Sequence, residues 1–482
     1  MRLRSRFLVA AVLAMTSVSL GAVPPFAPPA AAAPAAASVY VPVDPVRVMD
    51  TRTGVGVSPG LRSPGSTTVL RIGTPVPTNA TAVVLNVTLA GSIQQGWVQA
   101  YPTGVGTFGS SANLNVPGPG ITRGNMVIVE VGDLQRVSFA TTAGGHLIVD
   151  VFGYFEPAAT SSSGRYVSLP TPRRTLDTRD PLLTPVGNPG DVFDCGDFDW
   201  WEEANYAFWF FRRYGDPNRL DNNGDGIPCE SLPGNPGRVV KPADATSLGD
   251  GDTALLPITT SALPLFGDQP DGGVTPDDIV AVVVNVTATR ALGPGYLQLG
   301  PAFAFRAGSY ANLNYRPGES APSLAIVPVD PADGAIEIYA STAVDVVVDV
   351  IGYFTGDTFP VSSSGLYVPF APDRVFDSRT VGGPLAPRTQ QSRSVTSPAG
   401  LADGDVAAMF MNVTLARSAG AGFLQVYPPG GGSPGSTSTV NVNARGATRA
   451  NAAITGVVNG QVSVFHHAGG HYVLDAGGYF LR

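Results

Sequence analysis

The chain has 482 residues, which is too long for one compact hydrophobic core and predicts several domains. Hydrophobic residues make up 44% and charged residues 14%, with 58 Gly and 44 Pro. This composition is typical of a turn-rich protein built from many short strands. The net charge of −8 at pH 7 argues against a nucleic-acid-binding protein, because phosphate binding needs a basic face.

The N-terminal segment has the pattern of a secretory signal. Arg2, Arg4 and Arg6 precede an apolar run over 7–23, and prolines and an alanine-rich stretch follow. We assign the signal peptide to residues 1–37. The alternative is a membrane anchor, but the run is short for a span and helix breakers follow it. The sequence therefore predicts a secreted, extracellular or cell-wall-associated protein without an integral membrane segment in the mature chain.

The rest of the chain repeats one order of motifs three times, at 38–156, 165–355 and 366–482. Each copy opens on Tyr-Val and Arg-x-x-Asp-Thr/Ser-Arg. An apolar run ending in Asn-Val-Thr, an aromatic strand and an Asn-x-Asn motif follow, and each copy closes on an aspartate and Gly-Tyr-Phe. Runs of β-branched residues, bounded by Gly and Pro, predict mainly β structure. We expect three tandem antiparallel β-sandwich or jelly-roll-like modules, joined by short flexible linkers at 161–164 and 362–365.

Several repeated side chains allow either a structural or a binding role. The Asp-Thr/Ser-Arg motifs favour ion pairs that fix a strand corner, but they could bind a polar ligand such as a sugar. Their charged residues are Asp50 and Arg52, Asp177 and Arg179, and Asp377 and Arg379.

The other repeated positions are equally open to two interpretations. The Asn-Val-Thr triplets fit the N-glycosylation pattern but lie inside apolar strands, where a glycan could not pack. The repeated aromatic residues predict core packing, although an exposed ring would suit stacking on a sugar. They are Trp97, Tyr296 and Phe423.

The three copies resemble a repeat of secreted actinobacterial proteins, which stands in tandem or is attached to envelope enzymes. The resemblance rests on the opening Arg-x-x-Asp-Thr-Arg, the Asn-Val-Thr strand and the closing Val-Asp-Val-x-Gly-Tyr-Phe. It covers nearly all of the mature chain outside the segment described next. It implies no particular activity.

A segment of different character, residues 191–235, interrupts the second copy, and we call it the insert. A helical period begins at Asp199, which can cap a helix with Glu202, and Gly215 ends it. The apolar stripe of this predicted helix comprises Trp200, Ala204, Ala207, Phe208 and Phe211. So few residues bury little core and usually need a disulfide or an ion. The two cysteines of the chain, Cys195 and Cys229, lie here, and export favours a disulfide between them.

The loop 221–230 places oxygen-bearing side chains at alternate positions, as a calcium site requires. It is similar to an EF-hand loop but shorter, because its glutamate is the tenth residue. The alternative is an Asx-rich turn without a metal. The predicted ligands are the side chains of Asp221, Asn223, Asp225 and Glu230 and the backbone carbonyl of Ile227.

The run from 194 to 234 resembles the excalibur domain, an extracellular calcium-binding module with an Asp-x-Asp-x-Asp-Gly-x-x-Cys-Glu core. The residues that match this core are Asp221, Asp225, Gly226, Cys229 and Glu230. Asn223 stands where an aspartate is usual, which removes one negative charge from the site. The resemblance implies Ca²⁺ binding at a bacterial surface and no catalysis.

Taken together, these motifs predict a non-catalytic, secreted cell-envelope or extracellular protein that binds calcium and uses its β repeats as a scaffold or binding surface. One alternative is an adhesin that binds cell-wall polysaccharide or another glycan. A further alternative is a secreted hydrolase of wall polymers. That activity requires a catalytic constellation, and we find none in the sequence.

Overall fold

The computed structural model describes residues 37–179, 247–258, 278–302, 306–329, 334–397 and 399–482, with shorter stretches between 194 and 242, of which 218–233 is the longest. Contacts divide the chain into 1–33 and 34–482. The predicted signal peptide lies, apart from its last residue, outside the described residues. Short 3-10 helices occupy Asp133–Gln135, Cys195–Asp197 and Asp403–Asp405. No helix in the described part of the chain is both long and apolar enough to cross a membrane.

The first predicted copy folds into strands throughout. They are β1 (Ser38–Asp50), β2 (Ser66–Arg71), β3 (Ala82–Ala90), β4 (Gly96–Pro102), β5 (Leu114–Val116), β6 (Arg123–Glu130), β7 (Arg136–Thr141) and β8 (His146–Pro157).

The second predicted copy contains the next nine strands of the described residues. They are β9 (Tyr166–Asp177), β10 (Lys241–Pro242), β11 (Thr253–Pro257), β12 (Ile279–Thr289), β13 (Gly295–Pro301), β14 (Leu313–Tyr315), β15 (Ala321–Pro328), β16 (Ala335–Ala340) and β17 (Asp345–Thr355).

The third predicted copy repeats the order of strands seen in the first. Its strands are β18 (Tyr367–Asp377), β19 (Thr389–Ser394), β20 (Val406–Ala416), β21 (Gly422–Tyr427), β22 (Val440–Val442), β23 (Arg449–Gly456), β24 (Gln461–His466) and β25 (His471–Leu481).

The strands form several sheets, and the prediction of a mainly β, antiparallel protein is confirmed. One sheet has the order β23-β20-β25-β18-β1-β8-β3-β6, and a four-stranded sheet has the order β15-β12-β17-β9. Three further sheets have the orders β2-β7-β4-β5, β10-β11-β16-β13-β14 and β19-β24-β21-β22. The described strand pairs are antiparallel except β10 with β11.

The pairing registers place the same motif residues opposite each other in all three segments. The asparagine of each Asn-Val-Thr lies opposite the closing aspartate: Asn86 with Asp150, Asn285 with Asp349, and Asn412 with Asp475. The opening arginine lies opposite the same aspartate from the other side, as for Arg47 with Asp150. Each closing aspartate is therefore in the central strand of its group, between two partners that recur in every copy.

The apolar run of β3 is continuous because both of its faces are buried. Val83, Leu85 and Val87 belong to a core enclosed by β1, β3, β6 and β8 on one side and β2, β4, β5 and β7 on the other. Ala82 and Val84 instead join a core shared with residues of the other two segments. A strand buried on both faces loses the alternation of apolar and polar residues that marks a half-exposed strand.

Aromatic residues from the two ends of each predicted copy join the three segments. The ring centroids of Tyr40 and Phe354 lie 4.5 Å apart, those of Tyr166 and Phe480 4.5 Å, and those of Tyr367 and Phe155 4.3 Å. Each opening tyrosine thus contacts the closing phenylalanine of a different copy. Tilted contacts of this kind add about 0.5–1.5 kcal/mol each beyond the apolar area they bury.

The linkers predicted as flexible joints are hydrogen-bonded into the fold, so this expectation is wrong. Ser161 and Ser362 pair through both backbone N–H groups, at 2.9 and 3.0 Å. The Gly164 carbonyl accepts a hydrogen bond from the Tyr40 N–H, and the Gly365 carbonyl accepts one from the Tyr166 N–H. A linker whose backbone pairs with other strands cannot act as a free hinge.

Candidate metal centre

The insert has its own small apolar cluster, fastened by a disulfide. Cys195 and Cys229 are bonded, with their Cα atoms 5.4 Å apart, as the sequence predicts. Around them pack the buried residues Ala204, Phe208 and Leu220, with Phe198 and Leu232 partly buried. The bridge joins residues 34 positions apart, and a closure of that kind stabilises a small domain by about 2–5 kcal/mol.

A short 3-10 helix, Cys195–Asp197, precedes the loop and has its own cap. Asp194 caps the 3-10 helix, because its Oδ1 accepts a hydrogen bond from the Gly196 N–H at 2.7 Å. Asp197 completes the capping box by accepting from the Asp194 N–H at 2.8 Å. The predicted cap at Asp199 and most of the predicted helix lie outside the described residues. Trp201 is fully buried, and its backbone N–H donates to the Pro233 carbonyl at 2.9 Å.

Asp216 holds the start of the loop and was not singled out from the sequence. Its two carboxylate oxygens accept hydrogen bonds from the N–H groups of Leu220, at 3.1 Å, and Asp221, at 2.8 Å. The Cys229 N–H donates to the Leu220 carbonyl at 2.8 Å and closes the loop at its other end. The two ends are thereby fixed by a carboxylate, a backbone pair and the disulfide.

Asp221 organises the tip of the loop. Its Oδ1 accepts a hydrogen bond from the Gly224 N–H and its Oδ2 one from the Gly226 N–H, both at 2.8 Å. Gly224 and Gly226 have φ values of 76° and 90°, a region that favours glycine because other residues clash there. The two glycines allow the backbone to wrap around one carboxylate.

Asn223 brings the remaining acidic groups together. Its Nδ2 donates to Asp225 Oδ2 at 3.0 Å and to Glu230 Oε1 at 2.6 Å. Asp225 Oδ1 accepts from the Ile227 N–H at 2.9 Å. The Asn223 and Asp225 side chains and that of Glu230 are exposed, so a solute can reach them. One amide therefore bridges two carboxylates that would otherwise repel each other.

The side chains of this loop carry the oxygen ligands that a hard cation such as Ca²⁺ prefers. Calcium takes oxygen ligands from carboxylates, amide carbonyls, backbone carbonyls and water. The Asn223 amide now directs its donor nitrogen at the carboxylates. A half-turn about its terminal torsion would place Oδ1 there as a ligand for a cation, in exchange for the hydrogen bond that Oδ1 accepts from the Asp225 N–H at 3.2 Å. Within the described residues no group of three or more His, Cys, Asp or Glu side chains is close enough to hold a metal ion. The side chains brought together are therefore the Asn223 amide and the carboxylates of Asp225 and Glu230. The Asp221 carboxylate is hydrogen-bonded to the adjacent backbone instead.

The repeated Asp-Thr/Ser-Arg motifs form ion pairs inside each segment. The aspartates Asp50, Asp177 and Asp377 lie 2.5–2.7 Å from Arg52, Arg179 and Arg379, respectively. The upstream arginines Arg47, Arg174 and Arg374 contact the closing aspartates Asp150, Asp349 and Asp475 at 2.8–3.0 Å.

In each segment, the pKa of the motif aspartate and the pKa of the closing aspartate shift in opposite directions. The hydrogen bond from Arg52 holds the pKa of Asp50 below its usual range. Burial raises the pKa of Asp150, and the hydrogen bond from Arg47 opposes that rise. The same directions hold in the other two segments. These carboxylates already accept hydrogen bonds from arginines of their own segment, so their hydrogen-bonding capacity is used at the strand corner.

The asparagines of the Asn-Val-Thr triplets link one segment to the next. Asn86 Nδ2 donates to the Ala311 carbonyl at 2.5 Å, Asn285 Nδ2 to the Ser438 carbonyl at 2.7 Å, and Asn412 Nδ2 to the Ala112 carbonyl at 2.6 Å. All three asparagines are buried. Their amides are therefore inaccessible to a glycan, and the bonds run from the first segment to the second, the second to the third, and the third to the first.

The repeated aromatic residues are half-buried and not part of the core, which corrects the expectation of core packing. Trp97 contacts Phe108 with centroids 5.3 Å apart, and Tyr296 contacts Tyr339 at 5.9 Å. Phe423 stacks on His467 at 5.0 Å with an angle of 18° between the planes. Each ring lies opposite an asparagine in the neighbouring strand, namely Asn115, Asn314 and Asn441, respectively.

Comparisons with known proteins give little guidance. No protein-family model matches the chain, and no curated protein matches it. A solved structure titled "Life in the extremes: atomic structure of Sulfolobus Turreted Icosahedral Virus" covers 91% of this chain and 92% of its own, at 6% identity and a TM-score of 0.16. That score is too low to show a shared fold.

Proposed function

We propose that the chain is a secreted, non-catalytic cell-envelope or extracellular protein that binds calcium through an excalibur-like insert. The oxygen ligands are the side chains of Asp221, Asn223, Asp225 and Glu230, with the carbonyl of Ile227. Three tandem β-sandwich modules form the scaffold that carries this insert. The ion's role in the proposal is structural, and neither switching nor catalysis is required.

The observation that carries the proposal is the bridge made by Asn223. An amide nitrogen 3.0 Å from one carboxylate and 2.6 Å from another marks a point where positive charge is favoured. A divalent cation there would supply more charge than the partial charge of an amide N–H. It would therefore stabilise the same arrangement of Asp225 and Glu230 more strongly.

The frame of the insert supports binding by preorganisation. The disulfide, the Asp216 carboxylate and the Leu220 carbonyl fix both ends of the loop before any ion binds. Ordering a loop costs about 1–2 kcal/mol per residue in backbone entropy. A loop already held by these contacts does not incur that cost when calcium arrives.

The β modules support a scaffold role through their mutual contacts. The asparagine bonds and the shared aromatic contacts join each module to another. The Asp-Thr/Ser-Arg ion pairs are internal to each module. The Asn-Val-Thr asparagines and the Asp-Thr/Ser-Arg pairs are thereby committed to structure.

The proposal is tested by thermal unfolding of the full chain with calcium and with a chelator. Three of the four tryptophans lie in the insert, so a Trp97→Phe background makes tryptophan fluorescence report the insert alone. At a calcium concentration of 100 times Kd, binding stabilises the folded state by about 2.7 kcal/mol. Asp225→Ala is expected to abolish that stabilisation.

Asp357→Ala is the matched control, because Asp357 is an exposed aspartate in another loop. It is expected to keep the full calcium-dependent shift. A melting curve of the Trp97→Phe protein that is identical with calcium and with chelator would refute calcium binding at the insert.

A second candidate function is binding of a cell-wall polysaccharide or another glycan by the β modules. It is favoured by one observation, namely that the half-buried Trp97 lines a cleft.

A further inference from the structure

We propose that the cleft beside Trp97 is a glycan-binding site whose ligand is a sugar ring carrying a carboxylate. The site goes beyond the calcium function and does not depend on it. It lies on β-module residues, at the junction of the first and third modules.

The cleft has a volume of about 460 Å³, within the range of about 300–1,000 Å³ that is typical of ligand sites. Its walls come from two parts of the chain that are over 300 residues apart. Gln95, Trp97, Asn115 and Pro117 form one wall, and Arg445 and Thr448 on the loop after β22 form the other. The cleft exists only where the third module packs against the first.

Trp97 supplies the apolar surface on which a sugar ring can stack. It is half-buried, and the ring of its neighbour Phe108 lies at 54° to the indole plane. Phe108 is 44% exposed. An indole presents a broad apolar face and an N–H donor at its edge. The C–H face of a pyranose fits such a surface, while its hydroxyl groups require polar partners around the rim.

Asn115 is placed to provide one of those partners. It pairs with Trp97 across β4 and β5, so the two side chains lie on the same face of the sheet. Its Oδ1 has no hydrogen-bond partner among the described residues. Turning this amide toward a ligand therefore breaks no bond of Oδ1 within the described part of the chain.

Arg445 determines the charge of the ligand. It is exposed, and it forms no ion pair among the described residues, unlike the arginines of the Asp-Thr/Ser-Arg motifs. A guanidinium presents a planar fork of donors that matches a carboxylate. The local charge of this cleft thus favours a uronic acid over a neutral sugar, although the chain as a whole is acidic.

The equivalent positions in the other modules distinguish this site. Tyr296 pairs with Asn314 and Phe423 pairs with Asn441 in the same register. One face of the Phe423 ring is covered by His467, which stacks on it at an angle of 18°. Phe423 is therefore the matched control for Trp97, at the same place in the repeat but with its face occupied.

The test is calorimetric titration of the full chain with tetramers of galacturonate, glucuronate and mannuronate. Each titration is repeated with the methyl ester of the same tetramer, which is uncharged. Both sets are measured with and without a chelator. We expect at least one acidic tetramer to bind more tightly than its ester. Trp97→Ala should weaken binding of the acid and of the ester at least tenfold. Arg445→Gln should weaken only the acid, several-fold, and Phe423→Ala should change neither affinity.

Arg445→Gln keeps the proposal testable should Trp97→Ala fail to fold, because Arg445 is exposed on a loop. Absence of binding to all three acidic tetramers overturns the site. Equal losses from Trp97→Ala and Phe423→Ala would also overturn it, as would an Arg445→Gln variant with unchanged affinity for the acid. We expect the same affinities with and without chelator, so failure here leaves the calcium proposal intact, and the reverse also holds.

Discussion

The side chain of Asn412 donates a hydrogen bond at 2.6 Å to the carbonyl oxygen of Ala112, which lies 300 residues earlier in the chain. Asn412 lies in the predicted third module and Ala112 in the predicted first module. It closes the cycle that Asn86 and Asn285 begin. The third module is thereby joined directly to the first.

Asn412→Ala is predicted to lower the free energy of unfolding by about 1–3 kcal/mol, because it removes a buried amide and leaves the Ala112 carbonyl without its donor. The measurement is urea unfolding of the full chain. Asn79→Ala, at an exposed asparagine, is the control and should be neutral. An Asn412→Ala protein as stable as the wild type would show that the closing bond is not formed in solution.

Gly153→Ala is predicted to destabilise the fold by about 1–3 kcal/mol through overpacking. A Cβ at this position would lie 2.6 Å from the Tyr40 hydroxyl oxygen, which itself donates to the Phe152 carbonyl at 3.0 Å. Adding Tyr40→Ala should recover part of the loss caused by Gly153→Ala, which a double-mutant cycle measures. Gly73→Ala is the control, because nothing lies within 4 Å of its Cβ position. Additive effects of the two substitutions would contradict the close approach of Tyr40 and Gly153.

Stability is predicted to fall with acidification because of His466. Burial lowers the pKa of His466 to about 4, with a smaller contribution in the same direction from the neighbouring His467. The unfolded chain takes up a proton near the ordinary pKa of about 6.5, whereas the folded chain does so only near 4. The contribution of this group is therefore complete above pH ~6.5 and declines by up to about 3 kcal/mol as pH falls to about 4.

His466→Asn is the test of this pH dependence, since its Oδ1 can still accept the hydrogen bond that the Gly469 N–H now donates to Nδ1. The variant should show a flatter profile of unfolding free energy between about pH 6.5 and 4. Asn79→Ala, which removes no titratable group, is the control and should retain the wild-type slope. Parallel profiles for wild type and His466→Asn would refute the assignment.

The Asp50–Arg52 pair predicts a pH dependence in a lower window. Because the pKa of Asp50 is lowered by its hydrogen bond to Arg52, its contribution is present above the unfolded pKa of about 3.9. It is lost as pH falls through the folded pKa. Asp50→Asn should cost about 1–3 kcal/mol at pH ~7 and progressively less below pH ~4, as measured by urea unfolding. A difference that stays constant down to about pH 2 would contradict this.

Local patterns in the sequence predict much of the fold. The runs of β-branched residues mark the strands. The spacing of Asp and Arg in the repeated Asp-Thr/Ser-Arg motif predicts ion pairs such as that of Asp50 with Arg52. The two cysteines predict their own disulfide. Each of these depends on neighbours in sequence or on a residue type that occurs only twice.

Other features depend on distant contacts that no local pattern contains. The closure of Asn412 on Ala112 and the cleft between Trp97 and Arg445 join segments that lie 300 residues or more apart. Asp216 precedes the loop that it holds and has no place in the alternating pattern. The double burial of β3 could have been inferred, since its run lacks the polar positions of a half-exposed strand.

Calcium binding by the insert is measured by calorimetric titration of the full chain with Ca²⁺. Glu230→Gln is the decisive variant, because a glutamine Oε1 still accepts the hydrogen bond from Asn223 while the negative charge is lost. We expect one Ca²⁺ per wild-type chain, and an affinity weaker by at least about tenfold, or ~1.4 kcal/mol, in Glu230→Gln. The calcium-free melting temperature should be the same in both. No heat of binding in the wild type would refute calcium binding by the chain, and equal affinities of the two proteins would refute Glu230 as a ligand.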